Sequence, residues 1–216
     1  MDEINLRTQI IATAKQLHQK NMLAAADGNI SYRLSDTHIL ITPTGRAKSA
    51  LMPEEMAVIT LDNTIISGKP SSERLMHLAI YQACPDARCV VHAHPPTAIA
   101  WSIARPQLAY LPDECLSELI LACGRVPVVP YARPGTAAMG EVLLPFLPQY
   151  RAMILARHGA VGWGETLEEA TYAIERIEHT AMILLSAHQL GGITCLPEEE
   201  VRFLRDLRKK LGEKIL

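Results

Sequence analysis

The sequence predicts an α/β domain whose central sheet is mainly antiparallel and is flanked by helices. Two pairs of short segments with strand-like patterning, 29–34 with 38–41 and 58–61 with 64–66, are each joined by only a few turn-forming residues. Such close neighbours form antiparallel hairpins, because parallel strands need a crossover of a dozen or more residues. Apolar residues at helical spacing over 3–22 predict the first of the flanking helices.

The remaining elements follow from hydrophobic patterning and from turn and cap residues. Thr166-Leu167-Glu168-Glu169 has the pattern of a capping box and predicts the start of a long helix. Pro127 lies within an apolar run, which predicts a strand near a sheet edge. Further strands are predicted at 89–94, 126–129 and 152–156, and further helices at 73–85, 96–104, 117–123, 134–146, 166–190 and from 197 onward.

Composition narrows the classes of protein to consider. The chain has 216 residues with 49% hydrophobic and 20% charged content, which predicts a single globular domain over residues 1–216. A net charge of -2 gives no electrostatic support for binding nucleic acid or an anionic membrane. The acidic start lacks the features of a signal peptide, and the five cysteines include no Cys-x-x-Cys pair. We therefore expect a cytoplasmic protein with reduced thiols.

The stretch 89–96 carries a His-x-His pair on a predicted strand. Alternate side chains of a strand share a face, so His92 and His94 project to the same side and can bind one metal ion. Two such histidines are also common as ordinary polar residues of a strand. The metal hypothesis therefore depends on ligands from elsewhere in the chain.

Two further residues are candidate ligands. His158 ends a buried strand and precedes a glycine, which suits a side chain that reaches a neighbouring strand end. Glu73 heads a helix after a polar turn and can supply an oxygen. Three histidines and a carboxylate suit a divalent ion such as Zn²⁺. His77 is a competing candidate, because it shares a helix face with Glu73 at i, i+4.

Three clusters of small polar residues, at 28–31, 44–45 and 71–72, have the composition of loops that bind phosphate. Backbone N–H groups and hydroxyls in such loops can hold an anion without many positive charges. Each cluster also has a simpler explanation, as a turn or as the cap of a helix. None of them is a Walker or dinucleotide motif.

Taken together, these motifs resemble the class II aldolase and adducin family, most closely the branch of L-fuculose-1-phosphate aldolase. The resemblance extends over nearly the whole chain, with the motifs in family order and at family spacing. The motifs that carry it are Gly28-Asn29-Ile30-Ser31, Ile41-Thr42-Pro43-Thr44-Gly45, Ser71-Ser72-Glu73, His92-Ala93-His94 and His158-Gly159.

The resemblance implies a three-layer α/β fold, a homotetramer with active sites at subunit boundaries, and one Zn²⁺ per chain. It implies cleavage of a ketose 1-phosphate to dihydroxyacetone phosphate and an aldehyde through a metal-stabilised enediolate, with Glu73 as the base. The implied metal ligands are Glu73, His92, His94 and His158. The implied phosphate-binding residues are Asn29, Thr44, Gly45, Ser71 and Ser72.

The chain departs from the fuculose enzyme at the proton donors, which in that enzyme are tyrosines from a neighbouring subunit. The tail 203–216 has no tyrosine. Counting back from Gly124 places Glu118 at the position of the other tyrosine, whereas counting forward from Arg105 reaches the vicinity of Tyr110. A different proton donor leaves other enzymes of the family open as alternatives: a methylthioribulose-1-phosphate dehydratase, a sugar-acid phosphate decarboxylase or a 4-epimerase. A non-catalytic, adducin-like interaction module is the alternative outside enzymes.

Overall fold

One eight-stranded sheet organises the protein, which we describe from a computed structural model covering residues 3–216. The strand order is β4-β3-β2-β1-β5-β8-β7-β6, and every neighbouring pair is antiparallel except β6 with β7. The strands are β1 Asn29–Arg33, β2 His38–Ile41, β3 Ala57–Thr60, β4 Ile65–Ser67, β5 Cys89–Ala93, β6 Val128–Val129, β7 Ala152–Leu155 and β8 Gly159–Gly164. The mainly antiparallel sheet is confirmed, and strand β6, which Pro127 directly precedes, lies at its edge, as predicted.

Helices cover both faces of this sheet. One hydrophobic core lies beneath α1, α3 and α6, and a second lies beneath α2 and α5. The helices are α1 Glu3–Gln19, α2 Arg74–Ala83, α3 Pro96–Ala104, α4 Ser117–Ala122, α5 Ala138–Glu141, α6 Leu167–Gln189 and α7 Glu198–Lys210. The three-layer arrangement predicted from the resemblance is therefore confirmed.

The central strand β5 is buried along its whole length and divides the two cores. Val91 packs into the core beneath α1 and α6, whereas Val90 packs into the core beneath α2. Because side chains alternate along a strand, His92 shares the face of Val90 and projects toward α2. This alternation sets the side of the sheet on which the histidine pair acts.

Strand β8 was not predicted, because its sequence Gly159-Ala160-Val161-Gly162-Trp163-Gly164 has too many glycines to read as a strand. The structure supplies the reason for two of them. A Cβ on Gly162 would lie 2.6 Å from Ala173 Cβ, and one on Gly164 would lie 2.5 Å from Glu169 Cβ. These glycines allow α6 to pack closely against the sheet.

The helix predicted over 134–146 is wrong in its extent. Only α5 is α-helical there, and a separate 3-10 turn follows at Leu144–Phe146. Gly140 stands where α5 approaches α2, since a Cβ on it would lie 2.8 Å from Ala79 Cβ. The proline at 145 then removes a backbone donor, which prevents the helix from continuing.

The long helix α6 begins as the capping pattern predicts. Thr166 Oγ1 accepts a hydrogen bond from the backbone N–H of Glu169 at 3.1 Å. The Glu169 carboxylate accepts from the N–H of Glu165 rather than from that of Thr166, so only half of the capping box forms. Among residues 3–216, no helix combines the length and the apolar character needed to cross a bilayer.

Candidate active site

Two neighbouring central strands of the sheet, β5 and β8, bring three histidines together at the end of β5 and the start of β8. In the ladder that β5 forms with its neighbours, His92 lies opposite Asn29 of β1 and Val161 of β8. His94 follows the end of β5, and His158 occupies the three-residue turn between β7 and β8. Because β5 and β8 are adjacent, the end of one strand and the start of the other place all three imidazoles on one side.

Glu73 reaches this cluster from the other layer, at the residue that precedes α2. Its Oε2 lies 3.2 Å from His92 Nε2, and its Oε1 lies 3.2 Å from His158 Nε2. His94 Nε2 lies 3.1 Å from His92 Nε2, and one nitrogen from each histidine falls within a group that spans 4.8 Å. Ligand atoms of a tetrahedral site with bonds of about 2.0–2.1 Å are roughly 3.3 Å apart, so these spacings suit a single ion.

Polar contacts at the outer nitrogens accompany two imidazoles whose Nε2 atoms point toward the centre of the cluster. His92 Nδ1 donates to the carbonyl of Ala160 at 2.9 Å, and His94 Nδ1 lies 3.3 Å from Asp27 Oδ2. When both imidazoles are neutral with the proton on Nδ1, each Nε2 carries a lone pair and the two lone pairs face each other. Burial, assisted by repulsion from the protonated forms of His92 and His158, lowers the pKa of His94 to about 4. A bound cation would relieve the repulsion between the two nitrogens.

The Glu73 carboxylate is held in its charged form. Burial alone would raise the pKa of Glu73, but contacts with His158 and His92 and a hydrogen bond from Asn29 bring it well below its ordinary value. Its Oε1 is buried and accepts no well-aligned hydrogen bond from the described residues. A buried carboxylate oxygen without a donor, beside imidazole lone pairs, fits a site for a divalent cation.

Gly159 makes room for the histidine rings. A Cβ at this position would lie 2.9 Å from His92 Cε1, 2.9 Å from His94 Cδ2 and 2.5 Å from the carbonyl oxygen of Ala93. Those separations are too short for any side chain, so the residue after His158 must be glycine if the cluster is to form. The His-Gly motif therefore has a steric basis in the packing of the imidazoles.

A cavity of about 460 Å³ opens beside the cluster and is lined by Glu73, His94 and His158. Lys48, which follows the loop at 44–45 and was not among the predicted phosphate-binding residues, also lines it. Its buried Nζ donates to the carbonyls of Ala26 at 2.8 Å and Arg46 at 2.7 Å. All five residues predicted to bind phosphate line the same cavity: Asn29, Thr44, Gly45, Ser71 and Ser72.

The two candidate proton donors lie outside this cavity. Glu118 is exposed in the first turn of α4, where a hydrogen bond from Ser117 Oγ lowers the pKa of its carboxyl. The Tyr110 hydroxyl lies 3.4 Å from that of Tyr150, and its ring packs 3.8 Å from Arg125 Cζ. Within one chain, neither side chain lies among the residues that line the cavity.

His77, the competing ligand, lies apart from the three clustered imidazoles. It is fully buried on α2, and burial, together with the charge of His92, lowers the pKa of His77 to about 3. Its Nε2 contacts Asn29 Oδ1, and its Nδ1 contacts Ser31 Oγ. Sequence spacing could not distinguish this arrangement from a ligand role.

Comparisons with known proteins agree with this geometry. The family model of the class II aldolase and adducin N-terminal domain matches residues 8–185. A 3-oxo-tetronate 4-phosphate decarboxylase of Escherichia coli O6:H1 is 35% identical over 188 residues, covering 84% of this chain and 87% of that protein. An L-fuculose phosphate aldolase of the same organism is 31% identical over 219 residues, covering 100% of this chain and 99% of that protein.

A solved structure extends the likeness to three dimensions. YgbL from Escherichia coli, provisionally assigned as an aldolase, epimerase or decarboxylase, superimposes with a TM-score of 0.88 and 32% identity, covering 94% of this chain and 99% of that one. The family match spans most of the chain, and the identities exceed 30% over nearly complete lengths. The chain therefore belongs to the class II aldolase and adducin family, as an enzyme of the class II aldolase superfamily.

Proposed function

We propose that the protein is a metal-dependent lyase that decarboxylates a phosphorylated 3-oxo sugar acid of four carbons, yielding carbon dioxide and dihydroxyacetone phosphate. The observation that carries this proposal is the cluster of three imidazoles and one carboxylate beside a cavity lined by the phosphate-type loops. The class II aldolase family depends on a divalent metal. The decarboxylase relatives support this reaction over the ketose-phosphate cleavage predicted from sequence.

The two reactions are closely related in their chemistry. In a 3-oxotetronate 4-phosphate, the bond between C1 and C2 breaks, its electron pair enters an enediolate over C2 and C3, and C2 then takes a proton. Aldol cleavage of a ketose 1-phosphate leaves an enediolate of the same three-carbon fragment. A divalent ion held by Glu73, His92, His94 and His158 would supply an electrophile that polarises the ketone and stabilises the developing negative charge.

The proton donors favour decarboxylation. Aldol cleavage requires a group that takes the proton of the C4 hydroxyl as the aldehyde forms, whereas carbon dioxide leaves a carboxylate without such a transfer. The lack of a tyrosine in the tail 203–216 is therefore no handicap for a decarboxylase. The proton that C2 of the enediolate takes comes from solvent. Glu73 lies at the cluster as a carboxylate and can relay that proton, by accepting it from water and passing it to C2.

We further propose Zn²⁺ as the ion, since three imidazoles and a carboxylate form a ligand set that zinc favours. A homotetramer with sites at subunit boundaries follows from the resemblance, and Glu118 would then serve the site of a neighbouring subunit. Exposed apolar side chains on α6, including Met182 and Leu185, support contact with another copy of the chain.

Product analysis tests the proposed reaction. The zinc-loaded protein should convert 3-oxotetronate 4-phosphate into equal amounts of carbon dioxide and dihydroxyacetone phosphate, with a kcat/KM about 100-fold above that for L-fuculose 1-phosphate. Release of an aldehyde and dihydroxyacetone phosphate from a ketose 1-phosphate at the higher rate would favour the aldolase, whose relatives match the chain over its full length. An ion-loaded protein inactive on both would favour an adducin-like binding role.

The phosphate-binding loops can be tested separately. Thr44→Val preserves shape and removes the hydroxyl of a residue that lines the cavity, so we expect KM for a phosphorylated substrate to rise about 10-fold while kcat changes little. Thr8→Val, on the exposed face of α1, is the matched control and should leave both constants unchanged. An equal loss for Thr44→Val with an unphosphorylated analogue would contradict the assignment.

A further inference from the structure

A ladder of polar side chains connects β1 to α2 behind the active site. Every second residue of β1 lies on the same face, and on one face these residues are Asn29, Ser31 and Arg33. On the helix side, residues spaced by four form a second row, which begins just before α2 and continues along one of its faces: Glu73, His77 and Tyr81. Two strand residues advance about 6.7 Å, and four helical residues advance about 6.0 Å. The two rows therefore keep pace, and each polar residue of the strand meets those of the helix.

The contacts form one continuous chain. Asn29 Nδ2 donates to Glu73 Oε2 at 2.8 Å, and Asn29 Oδ1 contacts His77 Nε2. Ser31 Oγ lies 2.6 Å from His77 Nδ1 and 2.8 Å from the Tyr81 hydroxyl. The four residues behind Glu73 are all buried, with at most 3% of their surface exposed.

Only one assignment of protons satisfies every contact. A carboxylate can only accept, so Asn29 must present its NH₂ group to Glu73 and its oxygen to His77. His77 must then carry its proton on Nε2 and accept at Nδ1 from the Ser31 hydroxyl. With that proton committed, Ser31 Oγ accepts from the hydroxyl of Tyr81. The direction of donation runs without interruption from Tyr81 to the active-site carboxylate.

The far end of the ladder is anchored by the main chain. Arg33 Nη2 donates to the carbonyl of Tyr81 at 2.6 Å, Arg33 Nε donates to that of Ala87 at 3.1 Å, and the guanidinium lies 5.0 Å from the centre of the Tyr81 ring. Burial raises the pKa of Tyr81 well above its ordinary value, so its hydroxyl keeps the proton that it donates. The ladder is therefore rigid at one end and reaches the active site at the other.

We propose that this ladder is a positioning device for Glu73, and that His77 is a positioning residue that acts through Asn29. His77 permits only one orientation of the Asn29 amide. Rotating that amide by 180° would place Oδ1 against the Glu73 carboxylate and NH₂ against the N–H of His77, which costs two hydrogen bonds and adds two repulsions. This role rests on the function proposed above, because it assumes that the direction and charge of Glu73 matter to turnover.

A pair of variants at His77 tests the role in catalysis. His77→Leu removes both ring nitrogens, and we expect kcat to fall about 10- to 100-fold, with KM nearly unchanged and zinc affinity weakened. His77→Gln places an amide N–H near the position of Nε2, where it can donate to Asn29, and should recover most of the loss. Met76→Ala, a buried change on the same helix, controls for destabilisation and should leave kcat per folded chain unchanged.

A double substitution separates positioning from packing. If His77 acts through Glu73, then adding His77→Leu to Glu73→Gln should cause less than a twofold further loss of kcat. A packing role predicts that the two losses multiply. Equal kcat for His77→Leu and the unmodified protein would overturn the proposal, as would a His77→Gln variant no better than His77→Leu.

A spectroscopic measurement tests the ladder without any activity. In the zinc-loaded full chain labelled with ¹⁵N-histidine, the resonances that His77→Gln removes should belong to a neutral imidazole protonated at Nε2. Protonation at Nδ1 would overturn the proposal, even if both leucine and glutamine variants lost activity. If the protein proves inactive on 3-oxotetronate 4-phosphate, this tautomer and the zinc affinities of the variants still decide whether the ladder positions Glu73.

Discussion

Replacing His92 with alanine is expected to abolish both metal binding and turnover. His92 is fully buried at the centre of the cluster, within 3.2 Å of both Glu73 Oε2 and His94 Nε2. Removing it deletes one ligand and leaves the other donor atoms without their common neighbour. We expect about one zinc ion per unmodified chain after purification without chelators, and less than a tenth of that in His92→Ala.

Elemental analysis and a thermal shift titration with Zn²⁺ provide the measurements. Zinc should raise the melting temperature of the unmodified protein and leave that of His92→Ala unchanged, because an ion stabilises only the fold that binds it. His38→Ala, at the start of β2 and away from the cluster, is the control and should retain the ion. A His92→Ala protein that keeps a full complement of zinc would refute the metal site.

Replacing Glu73 with glutamine is expected to separate ion binding from proton transfer. Glutamine keeps the shape and one oxygen donor, so most of the zinc should remain bound. It cannot exchange a proton with C2 of the enediolate, so turnover should fall by about two to four orders of magnitude. The contacts with His158, His92 and Asn29 that lower the pKa of Glu73 act on an ionisable carboxyl. A glutamine amide does not ionise, so it cannot take over the transfer of the proton.

The measurement is kcat with zinc content determined on the same sample. Glu168→Gln, an exposed change in the first turn of α6, is the matched control and should retain the unmodified rate. A Glu73→Gln protein with bound zinc and near-normal turnover would show that another group moves the proton. Glu118, which is exposed and would act across a subunit boundary of the proposed tetramer, would then become the leading candidate.

Local patterns in the sequence determined most of the architecture. The alternation of β1 and β2, the helical spacing of α1 and the cap at Thr166 each depend on residues only a few positions apart. The same holds for His-x-His, because strand geometry alone places His92 and His94 on one side. Such features are predictable, since the backbone geometry that produces them is the same in every protein.

The tertiary structure decided what depends on neighbours distant in the chain. Strand β8 was not recognised because of its glycines, and Gly162 and Gly164 are required by the close approach of α6. Gly140 likewise allows α5 to approach α2. Lys48 lines the cavity because its buried ammonium donates hydrogen bonds to carbonyls from two loops. No local pattern could have indicated these contacts.

His77 illustrates the division most clearly. His77 lies four residues after Glu73, so the spacing placed both on one helix face and made His77 a competing candidate for a metal ligand. Only the pairing of β1 with α2 showed that the imidazole meets Asn29 and Ser31 instead. Spacing along a helix sets which residues share a face, but the partner of that face is chosen by packing across the whole chain, because burial is a property of the assembled layers.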